Sequence, residues 1–326
     1  MDISFIIEPV RDDLRLVEAK VREAAAVEYP MLATLLNAII GAGGKQLRPA
    51  VLLLAARIYS YPFDRLLPAA AGVQLLHTAT LIHDDTIDQA GLRRGKPTLN
   101  SAFSTNTVIL VGDYLFAKSA SLASEPNSVR VMRAFANSLA AICDGQLAEI
   151  FRASSWEQTR AQYESRIYGK TAALFELSTE IGAVLGGAPP AEVEALRAYG
   201  KQIGMAFQII DDVLDFEADT AVLGKPAGND LRQGTITLPA MIYMERCGGQ
   251  GEGADLLRRV VSGRQVPEED VSAAVALIRA SGVLNEAIAE AERWSAAAKE
   301  NLAGLPDGES RDLLLRLADA ALQRTY

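Results

Sequence analysis

Apolar residues recur along most of the chain at intervals of three and four positions, which is the period of an α-helix. One run is Leu66, Leu67, Ala70, Val73, Leu76 and Leu81. A second run is Val131, Phe135, Leu139, Ile142, Leu147 and Ile150. No long window alternates apolar and polar residues in the manner of a half-buried strand. The pattern therefore predicts amphipathic helices throughout and no substantial sheet.

Glycine and proline cluster between the predicted helices and mark their ends. The clusters fall at 41–44, 61–62, 91–97, 125–126, 186–190, 224–234, 248–253 and 304–308. Pro49 and Pro68 are each expected in the first turn of a helix, where the N–H that proline lacks has no partner to lose. The sequence contains no low-complexity tract, linker or internal repeat. We therefore predict one all-α domain spanning residues 1–326.

Composition narrows the class of protein further. The 326 residues are 49% hydrophobic, and 32 Lys and Arg against 41 Asp and Glu give a net charge of −9, which argues against a nucleic-acid partner. Cys143 and Cys247 are too few for a disulfide framework or a thiolate zinc site and are expected as buried small hydrophobes. Without a signal peptide or a membrane span in the sequence, we expect a cytoplasmic protein.

Two acidic triplets of the form DDxxD stand apart from this helical background. They are Asp84, Asp85 and Asp88, and Asp211, Asp212 and Asp215. Residues four apart share a helix face, so the first and last carboxylates of each triplet repel one another. A glycine-containing loop follows each triplet, which places both near helix C-termini, where the dipole disfavours anions. Oxygen ligands in such positions imply a bound cation and favour Mg²⁺ over zinc.

Side chains suited to phosphate lie close to both triplets along the sequence. The set is Lys45, Arg48, Arg93, Arg94, Lys170, Thr171 and Lys225. Lys45 and Arg48 enter a helix from a glycine loop, where N-terminal amides would add to anion affinity. His77 lies two turns before Asp84, and Gln208 one turn before Asp211, each on the acidic face. Each of these residues has an ordinary structural explanation, and each triplet alone could be a solvated helix end. Together they predict a diphosphate held by Mg²⁺.

Five sequence segments resemble those of the trans-isoprenyl diphosphate synthases, or polyprenyl synthetases, of the medium- and long-chain type. The segments are GGKQLRP, LLHTATLIHDDTIDQAGLRRGKPT, YGKTAALFE, AFQIIDDVLDFEAD and GKPAGNDLRQGTITLP, which occur in this order between about residues 40 and 240. The resemblance implies the isoprenoid synthase fold, a bundle of about 10–14 helices around a deep central cavity. It also implies a homodimer and the repeated addition of isopentenyl diphosphate to an allylic prenyl diphosphate.

The resemblance assigns roles to individual residues. Both triplets would hold Mg²⁺, expected as three ions, against the allylic diphosphate. That diphosphate would also contact Arg93, Lys170, Thr171, Gln208 and Lys225, and Lys170 would take part in catalysis. Isopentenyl diphosphate would be held without metal by Lys45, Arg48, His77 and Arg94. Gln46 and Thr235 depart from the family pattern, since basic residues are common at both positions.

The length of the product should depend on the residues before the first triplet. Ala79 and Thr80 lie five and four positions before Asp84, with Leu75 and Leu76 a further turn away. Small side chains there leave a cavity open, which predicts a product of about six to ten isoprene units, such as a quinone side-chain precursor that would partition into membranes. Phe116 or Phe151 are alternative candidates for the floor of the cavity.

Four other functions are compatible with parts of this pattern. A short-chain farnesyl or geranylgeranyl diphosphate synthase would share both triplets. A class I terpene cyclase would ionise the same substrate but normally carries a different second metal motif. A non-catalytic partner subunit would be expected to lose one triplet. An acidic divalent-ion buffer would bind metal tightly without any diphosphate.

Overall fold

The computed structural model describes residues 4–41, 46–93, 95–217, 227–263 and 266–323. Over these ranges the chain is almost entirely helical, so the predicted all-α class is confirmed. The first seven helices are α1 (Ser4–Ile7), α2 (Arg11–Ala24), α3 (Pro30–Gly41), α4 (Leu47–Arg57), α5 (Phe63–Ile87), α6 (Thr105–Ser124) and α7 (Val129–Arg152). Short 3-10 turns at Glu8–Val10 and Leu99–Ser101 join some of them.

The remaining helices form the second half of the chain. They are α8 (Arg160–Ile167), α9 (Ala173–Gly186), α10 (Pro190–Glu217), α11 (Asn229–Arg232), α12 (Leu238–Arg246), α13 (Glu252–Ser262), α14 (Glu268–Ser281), α15 (Val283–Leu302) and α16 (Glu309–Leu322). Of these sixteen helices in the described ranges, α1 and α11 have only 4 residues each. Fourteen longer helices remain, within the predicted number.

A small β-hairpin follows α5. Its strands, β1 (Leu92–Arg93) and β2 (Lys96–Pro97), are antiparallel, with Leu92 opposite Pro97 and Arg93 opposite Lys96. Gly95 in the turn has a φ of 74°, a left-handed conformation that glycine adopts without steric cost. The hairpin turns the chain back towards the end of α5 and so brings Arg93 beside the first acidic triplet.

Two apolar clusters form the core, and the 28-residue helix α10 runs through both. The first half of α10 contributes Tyr199 and Ile203 to the larger cluster, which also contains α4, α5 and α9. The second half contributes Ile209 and Val213 to the smaller cluster, together with α12 to α15. The second acidic triplet therefore lies on a helix that is packed against neighbours along its whole length.

Helices α8 and α9 are joined by a single π-helical segment, Tyr168–Ala172, which contains Lys170 and Thr171. Glycines allow close backbone packing around it. A Cβ on Gly169 would lie 2.9 Å from the Cα of Gly145 on α7, and one on Gly204 of α10 would lie 2.4 Å from the Cα of Ala172. The π-segment is thus held between α7 and α10. Such segments are frequent at functional sites.

Some sequence predictions about individual positions are wrong. Cys143 is exposed on α7 and Cys247 is half-buried after α12, so neither is a core residue. Pro68 is the sixth residue of α5 rather than part of its first turn, because the helix already begins at Phe63. The pyrrolidine ring is tolerated there because the hydrogen bond it removes would reach the exposed first turn. Pro49 does lie in the first turn of α4.

Helix α5 is apolar enough to resemble a membrane span. Among the residues described, it is the one helix whose length and composition suit a crossing, although α14 and α15 would also pass together as a span bent by 66°. Most of the apolar window of α5, 72%, is buried inside the protein. Burial on all sides explains the composition of α5, because a helix surrounded by other helices needs no polar face.

Candidate active site

The first triplet lies at the C-terminal end of α5. Asp84 is half-buried, Asp85 is buried, and Asp88 is the exposed C-cap residue, whose backbone N–H donates to the carbonyl of Asp84. The Nε of Arg93, carried by the hairpin, donates to Oδ1 of Asp85 at 2.7 Å. The structure therefore places Arg93 beside the first triplet, where its guanidinium bonds a carboxylate, and its contact with a diphosphate stays a prediction.

Burial makes two carboxyl groups of this triplet harder to ionise. It raises the pKa of Asp84 to about 6 and also raises the pKa of Asp88, while the charges of Lys170 and Arg93 act in the opposite direction. The carboxylate of Glu149 on α7 raises both pKa values further. Carboxylates that are this costly to ionise gain from a nearby cation, so the site is suited to a divalent metal.

The second triplet is built into a buried hydrogen-bond network. The Tyr163 hydroxyl donates to Oδ2 of Asp212 at 2.7 Å, and Nε2 of Gln208 donates to Oδ1 at 2.9 Å. Thr171, from the π-segment, donates its hydroxyl to Oε1 of Gln208. Burial raises the pKa of Asp212 to about 6, although the two hydrogen bonds lower it, and the charge of the half-buried Asp211 raises it. Thr171 is thus linked to Asp212 through Gln208.

Asp215 organises the segment that follows α10. Its two carboxylate oxygens accept the backbone N–H groups of Asn229 and Asp230 at 3.1 and 3.2 Å, which caps the first turn of α11. Burial, followed by the charges of Asp215 and Asp212, raises the pKa of Asp230 well above its usual range. The sequence interpretation did not include Asp230. Its proximity to the second triplet depends on the return of the chain after α10.

Lys170 lies close to carboxylates from several parts of the chain. Its Nζ donates to both carboxylate oxygens of Glu149, each at 2.9 Å. Although burial lowers the pKa of Lys170, the charges of Glu149, Asp230 and Asp84 raise it overall. Asp84 belongs to the first triplet and Asp230 adjoins the second. The charge of this ammonium group is therefore within electrostatic range of Asp84, at the end of α5, and of Asp230, whose backbone N–H bonds Asp215 near the end of α10.

Two of the residues predicted to bind isopentenyl diphosphate lie next to each other in the structure. Nη1 of Arg48 on α4 lies 3.2 Å from Nε2 of His77 on α5, and the guanidinium of Arg48 stacks over Phe175 with its carbon 5.0 Å from the ring centre. Lys45, Arg94 and Lys225 lie outside the described residues. Gln46, with a left-handed φ of 46°, uses its side-chain amide to bond Glu18 at 3.1 Å.

The predicted chain-length residues lie inside the α5 layer. Leu75, Leu76 and Ala79 have no accessible surface, and Thr80 is half-buried with its hydroxyl bonded to the carbonyl of Leu76 at 2.8 Å. Phe151, the alternative floor residue, is 81% exposed, and so it does not close a cavity within this chain. Phe116 packs edge-on against His83 with ring centres 5.1 Å apart, which keeps it beside the first triplet's helix.

The ligand chemistry of the site agrees with Mg²⁺ supported by a substrate. No group of three or more metal-ligating side chains converges on one point in the described part of the chain. A fully protein-built metal site needs such convergence, whereas Mg²⁺ is commonly held by one or two carboxylates plus phosphate oxygens and water. The carboxylates at the ends of α5 and α10, with their raised pKa values, fit the second arrangement.

Comparison with known proteins agrees with this geometry. Residues 29–278 match the polyprenyl synthetase family model. The chain is 36% identical to heptaprenyl diphosphate synthase component 2 of Geobacillus stearothermophilus, covering 97% of each protein. It is 36% identical to a decaprenyl diphosphate synthase from Rhodobacter capsulatus, with a TM-score of 0.92 and 99% of both chains covered.

A second solved structure is similarly close. The polyprenyl synthase of Caulobacter crescentus, crystallised with calcium and isoprenyl diphosphate, is 35% identical with a TM-score of 0.92, covering 99% of this chain and 98% of that one. Similarity of this kind extends over almost the whole length of each chain. The chain therefore belongs to the polyprenyl synthetase family.

Proposed function

We propose that this prenyltransferase adds isopentenyl diphosphate repeatedly to an allylic prenyl diphosphate and releases an all-trans polyprenyl diphosphate of about six to ten isoprene units. The relatives named above are a component of a heptaprenyl diphosphate synthase and a decaprenyl diphosphate synthase, and both of these chain lengths fall within this range. The location of Lys170 within electrostatic range of Asp84 and Asp230 is the observation that carries the proposal, because a diphosphate bound at this lysine would lie near both acidic regions.

The allylic diphosphate is assigned to the space between α5, α10 and the π-segment. Asp84, Asp85 and Asp88, with Asp211, Asp212 and Asp215, would hold Mg²⁺ there, expected as three ions. Such ions supply positive charge that stabilises the diphosphate as it leaves. The calcium and isoprenyl diphosphate in the Caulobacter crescentus structure support a divalent cation and this class of ligand.

The chain's own residues account for the rest of the chemistry. Lys170 and Arg93 stabilise negative charge that grows on the diphosphate as the allylic carbon–oxygen bond breaks. Arg48 and His77, with Lys45, hold isopentenyl diphosphate so that its double bond attacks the allylic cation at short range. A new carbon–carbon bond forms, and the proton lost from the isopentenyl unit passes to the departing diphosphate. The apolar clusters around the site exclude water from the cation.

A direct test removes one carboxylate from each triplet. Asp84→Ala and Asp211→Ala should each lower turnover by about two or more orders of magnitude, because each removes charge that stabilises the transition state. Turnover is measured as incorporation of radiolabelled isopentenyl diphosphate, and circular dichroism checks the fold. Normal activity in both variants would contradict the assignment of the site.

The same assay separates the other candidate functions. A terpene cyclase would consume the allylic diphosphate without isopentenyl diphosphate, and an ion buffer would form no product. A short-chain synthase would stop at three or four isoprene units. A non-catalytic subunit would be active only with a partner, and the Geobacillus stearothermophilus relative is itself named as one component of an enzyme.

An exposed apolar surface supports assembly as a homodimer. Exposed apolar residues occur near the start of α6 and near the end of α7. These are Ile109, Leu110, Leu147, Ile150 and Phe151, of which Leu110 is 68% and Phe151 81% exposed. Patches of this kind mark protein interfaces. Light scattering should give twice the mass of the 34.9 kDa chain.

The cellular setting follows from the same proposal. We expect the enzyme in the cytoplasm, with no nucleic-acid partner and no membrane span, since the apolar helix α5 is mostly buried in the protein. Its long polyprenyl product would partition into membranes. We also propose that residues 1–326 form a single domain, since the core helix α10 contributes to both apolar clusters.

A further inference from the structure

Glu149 is a charged residue of the site to which neither the motifs nor the proposed reaction gives a role. It lies on α7, outside both triplets, and its side chain is only 16% exposed. Both of its carboxylate oxygens accept hydrogen bonds from Nζ of Lys170, each at 2.9 Å. The close packing of Gly145 against Gly169 brings α7 near enough to the π-segment for this contact.

This ion pair uses the same ammonium group that the diphosphate requires. A Lys ammonium has three N–H donors, and Glu149 accepts hydrogen bonds from the ammonium of Lys170 with both of its carboxylate oxygens. A bound diphosphate would compete with Glu149 for these donors, and Lys170 would then shift its hydrogen bonds towards the diphosphate. It can return when inorganic pyrophosphate, the product of each addition, leaves the site.

We propose that Glu149 is a positioning residue that competes with diphosphate for Lys170 and so weakens the hold of the enzyme on released pyrophosphate. This role rests on the proposed function. An enzyme that adds several isoprene units must discharge one pyrophosphate for each unit. A neighbouring carboxylate that recaptures the lysine favours that discharge without contacting the substrate.

The test measures affinity for inorganic pyrophosphate at saturating Mg²⁺. Glu149→Gln keeps the shape of the side chain but removes its charge, so pyrophosphate should bind about fivefold more tightly, the order expected for loss of one competing ion pair. Calorimetry gives the affinity directly, and inhibition of the prenyl transfer reaction gives it independently. In steady state, KM for the allylic diphosphate and kcat should both fall, because pyrophosphate leaves more slowly.

A double-mutant cycle distinguishes competition for Lys170 from a general change in charge. Lys170→Met should weaken pyrophosphate binding, and adding Glu149→Gln to it should then change nothing. Glu149→Asp, which keeps the charge, should return affinity towards that of the wild type. Asp319→Asn is the matched control, since it neutralises the surface carboxylate that Lys299 bonds at 2.6 Å. Pyrophosphate affinity should be unchanged in this control.

Three results would overturn the proposal. They are unchanged or weaker pyrophosphate binding in Glu149→Gln, the same tightening in the Lys170→Met background, or an equal effect in Asp319→Asn. If Lys170→Met itself leaves pyrophosphate affinity unchanged, the assignment of Lys170 to the diphosphate fails as well. If Lys170→Met weakens binding while Glu149→Gln has no effect, only the role of Glu149 fails.

Discussion

The two acidic triplets have the same sequence pattern, but they differ in how their central carboxylate is held. Asp85 is paired with Arg93, whose side chain is 40% exposed on a short hairpin. Asp212 is fixed by the fully buried Tyr163 and by Gln208, on a helix that is packed along its length. The central carboxylate of the second triplet is therefore held more firmly than that of the first.

Because of this difference, we expect the same substitution to lower the free energy of unfolding by different amounts in the two regions. Asp212→Ala would leave the buried Tyr163 hydroxyl and the half-buried Gln208 amide without their acceptor, so the free energy of unfolding should fall by about 1–3 kcal/mol. Asp85→Ala breaks a partly exposed ion pair and should cost less than about 1 kcal/mol. Urea denaturation measures both. Equal losses of stability would mean that the two regions are equally preorganised. Turnover should fall in both variants, and by about a hundredfold or more in Asp212→Ala.

A smaller change tests the second region alone. Tyr163→Phe removes only the hydroxyl that donates to Asp212 and should lower kcat about tenfold, the size expected for one hydrogen bond to a charged group. KM for isopentenyl diphosphate should not change, because Arg48 and His77 lie on other helices.

Tyr199→Phe is the matched control for this change. Tyr199 is also fully buried, and its hydroxyl donates to the carbonyl of Leu314 at 2.7 Å. The two variants should lose similar stability, but only Tyr163→Phe should lose activity. A comparable loss of kcat in Tyr199→Phe would show that the effect is one of stability and not of the site.

Acidification should affect both regions. Burial raises the pKa of Asp84 and Asp212 to about 6, so both take up protons as the pH falls from 7 to 5. Activity should therefore fall below about pH 6, and added Mg²⁺ should move this loss to lower pH, because metal and protons compete. A pH–rate profile at two Mg²⁺ concentrations measures this shift. An unchanged profile would contradict the metal assignment.

The same protons have the opposite effect on the stability of the metal-free protein. The folded state binds them at a higher pH than the unfolded chain does, so these two groups stabilise the fold as the pH falls through 6. The stabilisation that they give on protonation reaches its full value below about pH 3.8, the usual pKa of Asp. The difference in unfolding free energy between the wild type and Asp212→Asn, followed from pH 7 to 5, isolates the part that belongs to Asp212.

The smallest effect on rate is expected within α5. Ala79→Tyr should shorten the products, as seen by chromatography of radiolabelled chains, while the first condensation slows only a few-fold, since Ala79 lies away from the diphosphate. Ala79 is fully buried, and overpacking costs about 1–3 kcal/mol, so Ala79→Val provides a milder step. Products of unchanged length in both variants would remove α5 as the determinant.

The sequence was sufficient for the parts of the molecule that are local. Helical periodicity indicated the fold class, and the spacing of the carboxylates with the following glycines placed both triplets at helix C-termini, as α5 and α10 show. Arg48 with His77, and Arg93 with the first triplet, are also brought together as predicted. The positions of the triplets and of Arg93 depend on distances along one helix or across one turn. Arg48 and His77 lie on two helices, α4 and α5, and only the resemblance assigned them to one ligand.

The parts that were missed depend on contacts between distant segments. Glu149 and Tyr163 each occur in an amphipathic helix and have no feature that separates them from surface or core residues. Their roles appear only when α7 and α8 pack against the π-segment and α10. Gly145 was the available signal, because a glycine within a long helix costs stability unless another backbone must come close.

The π-segment Tyr168–Ala172 also determines how the chain tolerates insertions and deletions. A π-turn accommodates one residue more than the α-helical turn it replaces. Loss of one residue there would convert the π-turn into a regular α-turn, which would change the direction of the side chains within the segment while the flanking helices kept their faces. Lys170 and Thr171 would then point away from Glu149 and Gln208, even though every side chain of the site was still present. The count of residues between α8 and α9 is therefore as much a part of the active site as their identities.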